Sequence, residues 1–401
     1  MATTIGEKIR SLRISKGMTQ SQLAGQHITK SMLSQIENGK AQPSMGSLQY
    51  LAQQLGMEVS QLLQEDGSAE ISKLLKEVED HAKRKEYIEV IAKVKPLLEE
   101  KLPLILDVAR LMEYYAEACF HTLNEDGEGA VDKAVEIYDH FGLYVEAAKA
   151  SYIMYALYFT KSQYGASLDL IRNVWRQYKD KKSSRDVLFE LSLYYAEAAS
   201  LSAIGYYEES RNVLLEAISL SHDEKVYFMT DHFYRLLAGI SQLIDDEENF
   251  GKYMYKARQF AQFSEDEQSV LMVELAEMEC LNWKGQYAEA LELIQRYPEM
   301  KNGNYRGYWF LQKGISYYGL GRYLEALEAL SQVTMPDSAH HPIDKASIHS
   351  AGAYIANIYA KQGELDQARK LIEQVYETMK VFPPSPYLSF VKETYHEFCG
   401  G

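Results

Sequence analysis

Residues 285–290 read Gly285-Gln286-Tyr287-Ala288-Glu289-Ala290, and residues 321–326 read Gly321-Arg322-Tyr323-Leu324-Glu325-Ala326. Each places a glycine, then an aromatic ring, then a small residue at the same offsets. Gly205-Tyr206-Tyr207-Glu208-Glu209-Ser210 follows the same pattern, and Gly363-Glu364-Leu365-Asp366-Gln367-Ala368 follows it with Leu365 in place of the ring. Degenerate copies start near Lys85, Gly129, Ser162 and Asp245, so successive starts lie 44, 33, 43, 40, 40, 36 and 42 residues apart. The glycine permits a tight turn between two helices, and the small residue lets the paired helices approach closely. Repetition of such a unit predicts a stack of helical hairpins.

Composition supports helices throughout. Of nine prolines, none falls between Leu104 and Tyr297, a stretch rich in Ala, Leu, Glu and Lys. Proline breaks helix interiors and those four residues favour them. The 31 tyrosines predict packing through large amphipathic rings. With 46% apolar and 25% charged residues, the 401-residue chain has the mixture of a globular protein of two or three domains. No stretch approaches the roughly 18 apolar residues of a membrane span, and Met1 to Arg13 lacks the apolar core of a signal peptide. Three widely spaced cysteines, Cys119, Cys280 and Cys399, fit neither a disulfide framework nor a zinc site, which points to the reducing cytoplasm.

The spacing of the four clear copies resembles tetratricopeptide repeats, with longer loops than the standard unit of about 34 residues. The resemblance implies an α-solenoid, a right-handed superhelix with a concave groove lined by the first helix of each pair. Residues 385–398 read as a terminal capping helix.

The N-terminal end is different. Residues 1–57 carry six cationic and two anionic side chains, a balance of +4 against −15 for the whole chain, which leaves −19 on the remainder. A basic unit joined to an acidic one hints at nucleic acid on the basic end. Residues 5–63 parse into five short helices. Ile5, Ile9 and Leu12 share one face of the first, and Thr19 caps a second with Leu23 and Ala24 inward. Thr29 caps a third in which Leu33 and Ile36 face the core while Lys30, Ser31, Ser34 and Gln35 face out. Pro43 and Ser44 start a fourth with Leu48, Leu51, Ala52 and Leu55 inward, and Val59, Leu62 and Leu63 close the core.

Two helices joined by a short turn, the second with polar residues outward, can place one helix in a DNA major groove. The residues Met18-Thr19-Gln20-Ser21-Gln22-Leu23-Ala24, Leu33-Ser34-Gln35-Ile36-Glu37-Asn38-Gly39, Pro43-Ser44 and Leu48 resemble the Cro/C1 (XRE) family of helix-turn-helix domains. The turn after Ala24 is one residue shorter than the commonest pattern. The resemblance implies a lambda-repressor-like domain in which Gln20, Asn38 and Lys40 contact phosphate and Lys30, Ser31, Ser34 and Gln35 read bases. It also implies an ion pair between Arg13 and Glu37.

These readings give an all-α chain: a helix-turn-helix domain over 1–66, a linker over 67–72 around the polar Glu65-Asp66-Gly67-Ser68, and a repeat domain over 73–401. From the repeat register, the groove-facing residues are expected to be Tyr152, Tyr195, Arg235, Gln242, Glu279, Asn282, Tyr318, Asn357 and Lys361. Asn282, Asn357 and Gln242 would pair with the amides of an extended peptide, and Glu279 would face a basic residue of it. The tyrosines fit helix packing equally well.

Catalytic signatures do not emerge. The His340-His341 pair has no accompanying carboxylate or cysteine cluster, and Gly39-Lys40 lacks the upstream glycine of a phosphate loop. We read no enzyme, no cofactor and no metal site. The order of parts resembles the RRNPP family of cytoplasmic peptide-pheromone receptors, in particular its NprR- and PlcR-like members. That implies a homodimeric transcription regulator, binding double-stranded DNA and a short linear signalling peptide, as in quorum sensing. A regulator whose repeats bind a protein partner, such as a phosphorelay response regulator, is the alternative.

Overall fold

A computed structural model describes residues 5–41, 43, 45–57, 68–100, 102–122, 127–181, 185–297 and 305–400. Among the described residues the regular elements are helices with no strand, and none of those helices is long and apolar enough to cross a membrane. By internal contacts the chain divides into two compact units, Met1–Ile153 and Met154–Gly401.

The first unit begins with α1 (Ile5–Ser15), α2 (Gln20–Ala24), α3 (Lys30–Glu37) and α4 (Met45–Gln54). Their core is the one the spacing predicts: Ile9, Leu23, Ala24, Leu33, Ile36, Leu48, Leu51, Ala52 and Leu55 are all buried. The expected fifth helix, with Val59, Leu62 and Leu63, lies outside the described residues, as does Ser44. Residues 68–72, within the expected linker, form the first turns of α5 (Ser68–Lys83). It pairs with α6 (Tyr87–Val94), and α7 (Leu106–Thr122) pairs with α8 (Glu128–His140).

A ninth helix, α9 (Tyr144–Thr160), spans the division between the units. The second unit continues as hairpins: α10 (Tyr164–Lys181), α11 (Val187–Ala203) with α12 (Tyr207–Glu224), and α13 (Thr230–Leu243) with α14 (Glu247–Ser264). Then come α15 (Glu267–Trp283) with α16 (Tyr287–Gln295), and α17 (Arg306–Gly319) with α18 (Tyr323–Leu330). The last pair is broken in its first helix, α19 (Pro342–His349) and α20 (Ala351–Lys361), before α21 (Leu365–Met379). The capping helix α22 (Pro386–Cys399) starts at Ser385, whose hydroxyl accepts from the Leu388 N–H at 3.2 Å.

The repeat signal is a turn signal. Lys85, Ser162, Gly205, Asp245, Gly285, Gly321 and Gly363 all take positive φ, from 59° to 88°. In each case the next N–H bonds back to the carbonyl five residues before it, at 2.8–3.0 Å, from Glu86 to His81 through to Glu364 to Tyr359. This is the Schellman ending, which satisfies the last carbonyls of one helix while reversing the chain into the next. The eighth expected start, Gly129, lies inside α8 instead. Five residues after six of these seven starts, Val90, Ser167, Ser210, Ala290, Ala326 and Ala368 are fully buried, while Phe250 after Asp245 is half-buried.

First helices of neighbouring hairpins also touch directly, α11 on α13, α13 on α15 and α15 on α17. That close spacing is what the inner side of a curved stack requires. The second unit also returns on itself. Tyr164 Oη donates to the His340 carbonyl at 2.7 Å, Lys345 Nζ to Ser162 Oγ at 2.8 Å, and Tyr207 Oη to the Pro384 carbonyl at 2.7 Å.

Candidate functional site

Two surfaces hold the residues that the sequence singles out. The first is α3. Thr29 caps it by accepting the Met32 N–H at 3.0 Å, and Thr19 caps α2 in a reciprocal box with Gln22. Burial of Leu33 and Ile36 fixes the rotation of α3, so Lys30, Ser31 and Gln35 are exposed and Ser34 is half-buried. Past its end, Asn38 turns its amide back to the Ser34 carbonyl at 2.7 Å, and Lys40 is exposed.

Beneath this surface Glu37 is 2% exposed and accepts from three donors. Arg13 supplies Nε at 2.6 Å and Nη2 at 2.9 Å, and Gln20 Nε2 donates at 2.8 Å. Burial alone would push the Glu37 carboxyl up, but the bonds from Arg13 and Gln20 outweigh it and hold the carboxyl below its ordinary value. Gln20, expected at phosphate, therefore has one amide N–H committed inside the domain.

The second surface is the inner face of the second unit, where first helices converge. Glu279 on α15 accepts from Ser347 Oγ on α19 at 3.3 Å and from Tyr387 Oη at the start of α22. Those partners lie 68 and 108 residues away in the chain. Asp344 lies within electrostatic reach of Glu279, Arg235 and Lys345, and Tyr195 within reach of Arg235 and Asp344. Arg235 pairs with Asp231 on its own helix at 3.5 Å.

Crowding by protein pushes the Glu279 carboxyl up, opposed by its bonds from Tyr387 and Ser347. The same crowding, reinforced by Glu279 and opposed by Arg235 and Lys345, pushes Asp344 up to about 7. Asp344 nevertheless stays open to solvent. Water at this exposed carboxylate screens its charge and moderates the rise.

Of the nine residues expected to face the groove, Tyr195, Arg235 and Glu279 come together here. Asn282 is instead 4% exposed and bonded within the fold: its Nδ2 donates to the Gln312 carbonyl at 3.0 Å and Oε1 at 2.9 Å, and its Oδ1 accepts from Ser316 at 2.8 Å. Its amide clamps α15 to α17. Asn357 similarly spends Nδ2 on the Ala353 carbonyl at 3.0 Å and Thr394 Oγ1 at 3.3 Å, joining α20 to α22. Tyr318 packs edge-on against Tyr354 at 5.2 Å, and Lys361 is exposed with its ammonium 5.6 Å from the Tyr323 ring. Gln242 is half-buried near the end of α13, and Tyr152 belongs to the other compact unit. The repeat register missed Asp344 and Ser347, which lie before the break between α19 and α20, and Tyr387, which lies in the capping helix outside the repeats.

His340 and His341 are apart in role. His341 Nδ1 accepts the Ile343 N–H at 3.2 Å and so caps α19, which assigns the ring proton to Nε2, 2.9 Å from Ser202 Oγ. Burial pushes its pKa down to about 4.

Residues 9–62 match the helix-turn-helix family model, HTH_3, and this segment is a helix-turn-helix domain. An immunity repressor protein of Bacillus phage phi105 is 35% identical over 91 residues, 21% of this chain and 62% of the relative. The chain thus spans under two thirds of that relative's length. Among solved structures, it is similar to Bacillus thuringiensis PlcR in complex with the peptide PapR7 and DNA, at 22% identity and a TM-score of 0.39, covering 66% of this chain and 96% of that one. ComR from S. thermophilus, in complex with DNA and its signalling peptide ComS, is 16% identical with a TM-score of 0.34, over 69% of this chain and 99% of that one. At these scores the likeness to the solved structures is loose.

Proposed function

We propose that this protein is a cytoplasmic, homodimeric transcription regulator whose helix-turn-helix domain, residues 1–66, reads DNA and whose repeat domain, residues 73–401, binds a short linear peptide. The observation that carries the reading is α3: a capped helix, locked from beneath through Glu37, that turns Lys30, Ser31 and Gln35 to solvent. A glutamine can bridge adenine N6 and N7, and a lysine can donate to guanine O6 and N7. A domain of this size reads few base pairs, and a dimer extends the site to paired half-sites. The peptide would lie along the inner face. With −19 on the chain outside residues 1–57 and Glu279 beside Asp344, that face favours a basic residue in the ligand.

Duplexes selected from a random pool by the full-length chain test the first half. Lys40→Ala should weaken binding to every sequence and lower the salt slope by about one, whereas Gln35→Ala should change which sequence is preferred. If both variants bind as the parent does, α3 is not the reader. For the second half, calorimetry against linear peptides of about five to ten residues, with and without an arginine, should show binding that weakens in Glu279→Gln and Asp344→Asn. Capture of a response-regulator protein with no peptide bound would transfer the repeats to the alternative reading.

A further inference from the structure

We propose that Met32 is a specificity residue that recognises a thymine by its C5 methyl group. The inference rests on the DNA-binding reading of α3 and adds a contact that the polar set cannot make. Met32 is 37% exposed, whereas Leu33 and Ile36 on the same helix are 0% and 1% exposed. It belongs neither to the buried core of the domain nor to the partly buried shell of Ile5, Leu12, Met18, Ala41, Tyr50 and Met57 packed around it. Part of its thioether side chain is therefore open to solvent and outside the core cluster.

Its position is nevertheless fixed. The Met32 N–H is the one held by the Thr29 cap, so the residue sits in the first turn of α3. In helix-turn-helix docking the N-terminal residues of the recognition helix meet the base edges. At 100° per residue, Ser31, Gln35 and Asn38 share one direction, with Lys30 to one side of it and Met32 to the other. The outward surface therefore has a cationic margin and an apolar one. In the major groove the thymine methyl is the one apolar group that base edges display. A flexible thioether side chain adapts well to such a contact, and burying one methyl group is worth about fourfold in affinity.

The test replaces thymine by uracil, which removes the methyl and leaves the base pair intact. Duplexes selected from a random pool by the full-length chain are resynthesised with dU at each dT in turn. The parent should bind about fourfold less tightly when one particular dT in each half-site is replaced. Met32→Ala should bind the dT and dU duplexes equally, and Met32→Leu should keep most of the discrimination. Thermal melting of both variants should match the parent, since the side chain lies outside the core. Equal binding of dT and dU duplexes by the parent would overturn the proposal, as would an undiminished preference in Met32→Ala. If no duplex is retained at all, the DNA-binding reading itself falls, and this inference with it.

Discussion

Arg13 grips Glu37 with two arms of its guanidinium, Nε on one carboxylate oxygen at 2.6 Å and Nη2 on the other at 2.9 Å, while Nη1 donates to the Met18 carbonyl at 2.8 Å. One side chain thereby joins α1 to the end of α3 and to the turn that leads into α2. Glu37 is 1% exposed in its side chain and Arg13 12%, so removing either partner strands a largely dehydrated group. Arg13→Ala should cost the N-terminal domain about 3 kcal/mol, and a double-mutant cycle with Glu37→Gln should show strong coupling. Because the folded carboxyl titrates below its ordinary value, the stabilisation is complete above the unfolded pKa. It is lost as pH falls through the folded one. Acid unfolding followed by circular dichroism should show that limb in the parent and a flatter one in Glu37→Gln.

Asn282 makes a contrasting case, because its amide serves the fold. Asn282→Ala would take the donor from the buried Gln312 Oε1, while the Ser316 hydroxyl keeps the Gln312 carbonyl as its acceptor, a loss of about 2 kcal/mol. Denaturant unfolding should show the drop. The affinity for any peptide that binds should stay within twofold of the parent's, whereas a larger loss of binding without loss of stability would return Asn282 to the groove.

Asp344 gives the second unit a pH dependence of opposite sign to that of Glu37. Its folded pKa, about 7, lies above that of the unfolded chain, so between the two values the native state holds more protons. Stability should therefore decline as pH rises from about 4 to about 7 and level off beyond. Because Asp344 is exposed, screening by water makes the slope shallow. Asp344→Asn should flatten it, and a cationic peptide should restore stability at the upper end by favouring the ionised carboxylate. Melting temperatures measured across this range decide the point.

Bonds that close the second unit on itself are polar and few. Tyr164 and Tyr207 each reach a carbonyl more than 170 residues away, that of His340 and that of Pro384. Tyr164→Phe and Tyr207→Phe remove these bonds and keep the rings, at about 1 kcal/mol each. Hydrogen exchange should rise on both sides of the closure, in residues 336–345 and 383–388 as well as around 162–164 and 204–207. A rise on one side alone would mean that the closure does not hold the two ends together.

Much of this protein is decided within a few consecutive residues, and that part is legible in its sequence. A Schellman turn needs one residue that tolerates positive φ, so six residues suffice to locate it, and seven of the eight expected repeat starts fall on such residues. The exception, Gly129, lies inside a helix. Caps at Thr19, Thr29 and Ser385 are local in the same sense, and the inward faces of α1 to α4 follow from helical period alone. Which inward polar group meets which is a different matter. An asparagine at mid-helix is compatible with a ligand or with a neighbouring helix, and only the approach of Gln312 and Ser316 decided it for Asn282. Glu279 finds Ser347 and Tyr387 because curvature brings α15, α19 and the start of α22 to one inner face. Curvature accumulates from small rotations between successive hairpins, and no single stretch of sequence encodes their sum.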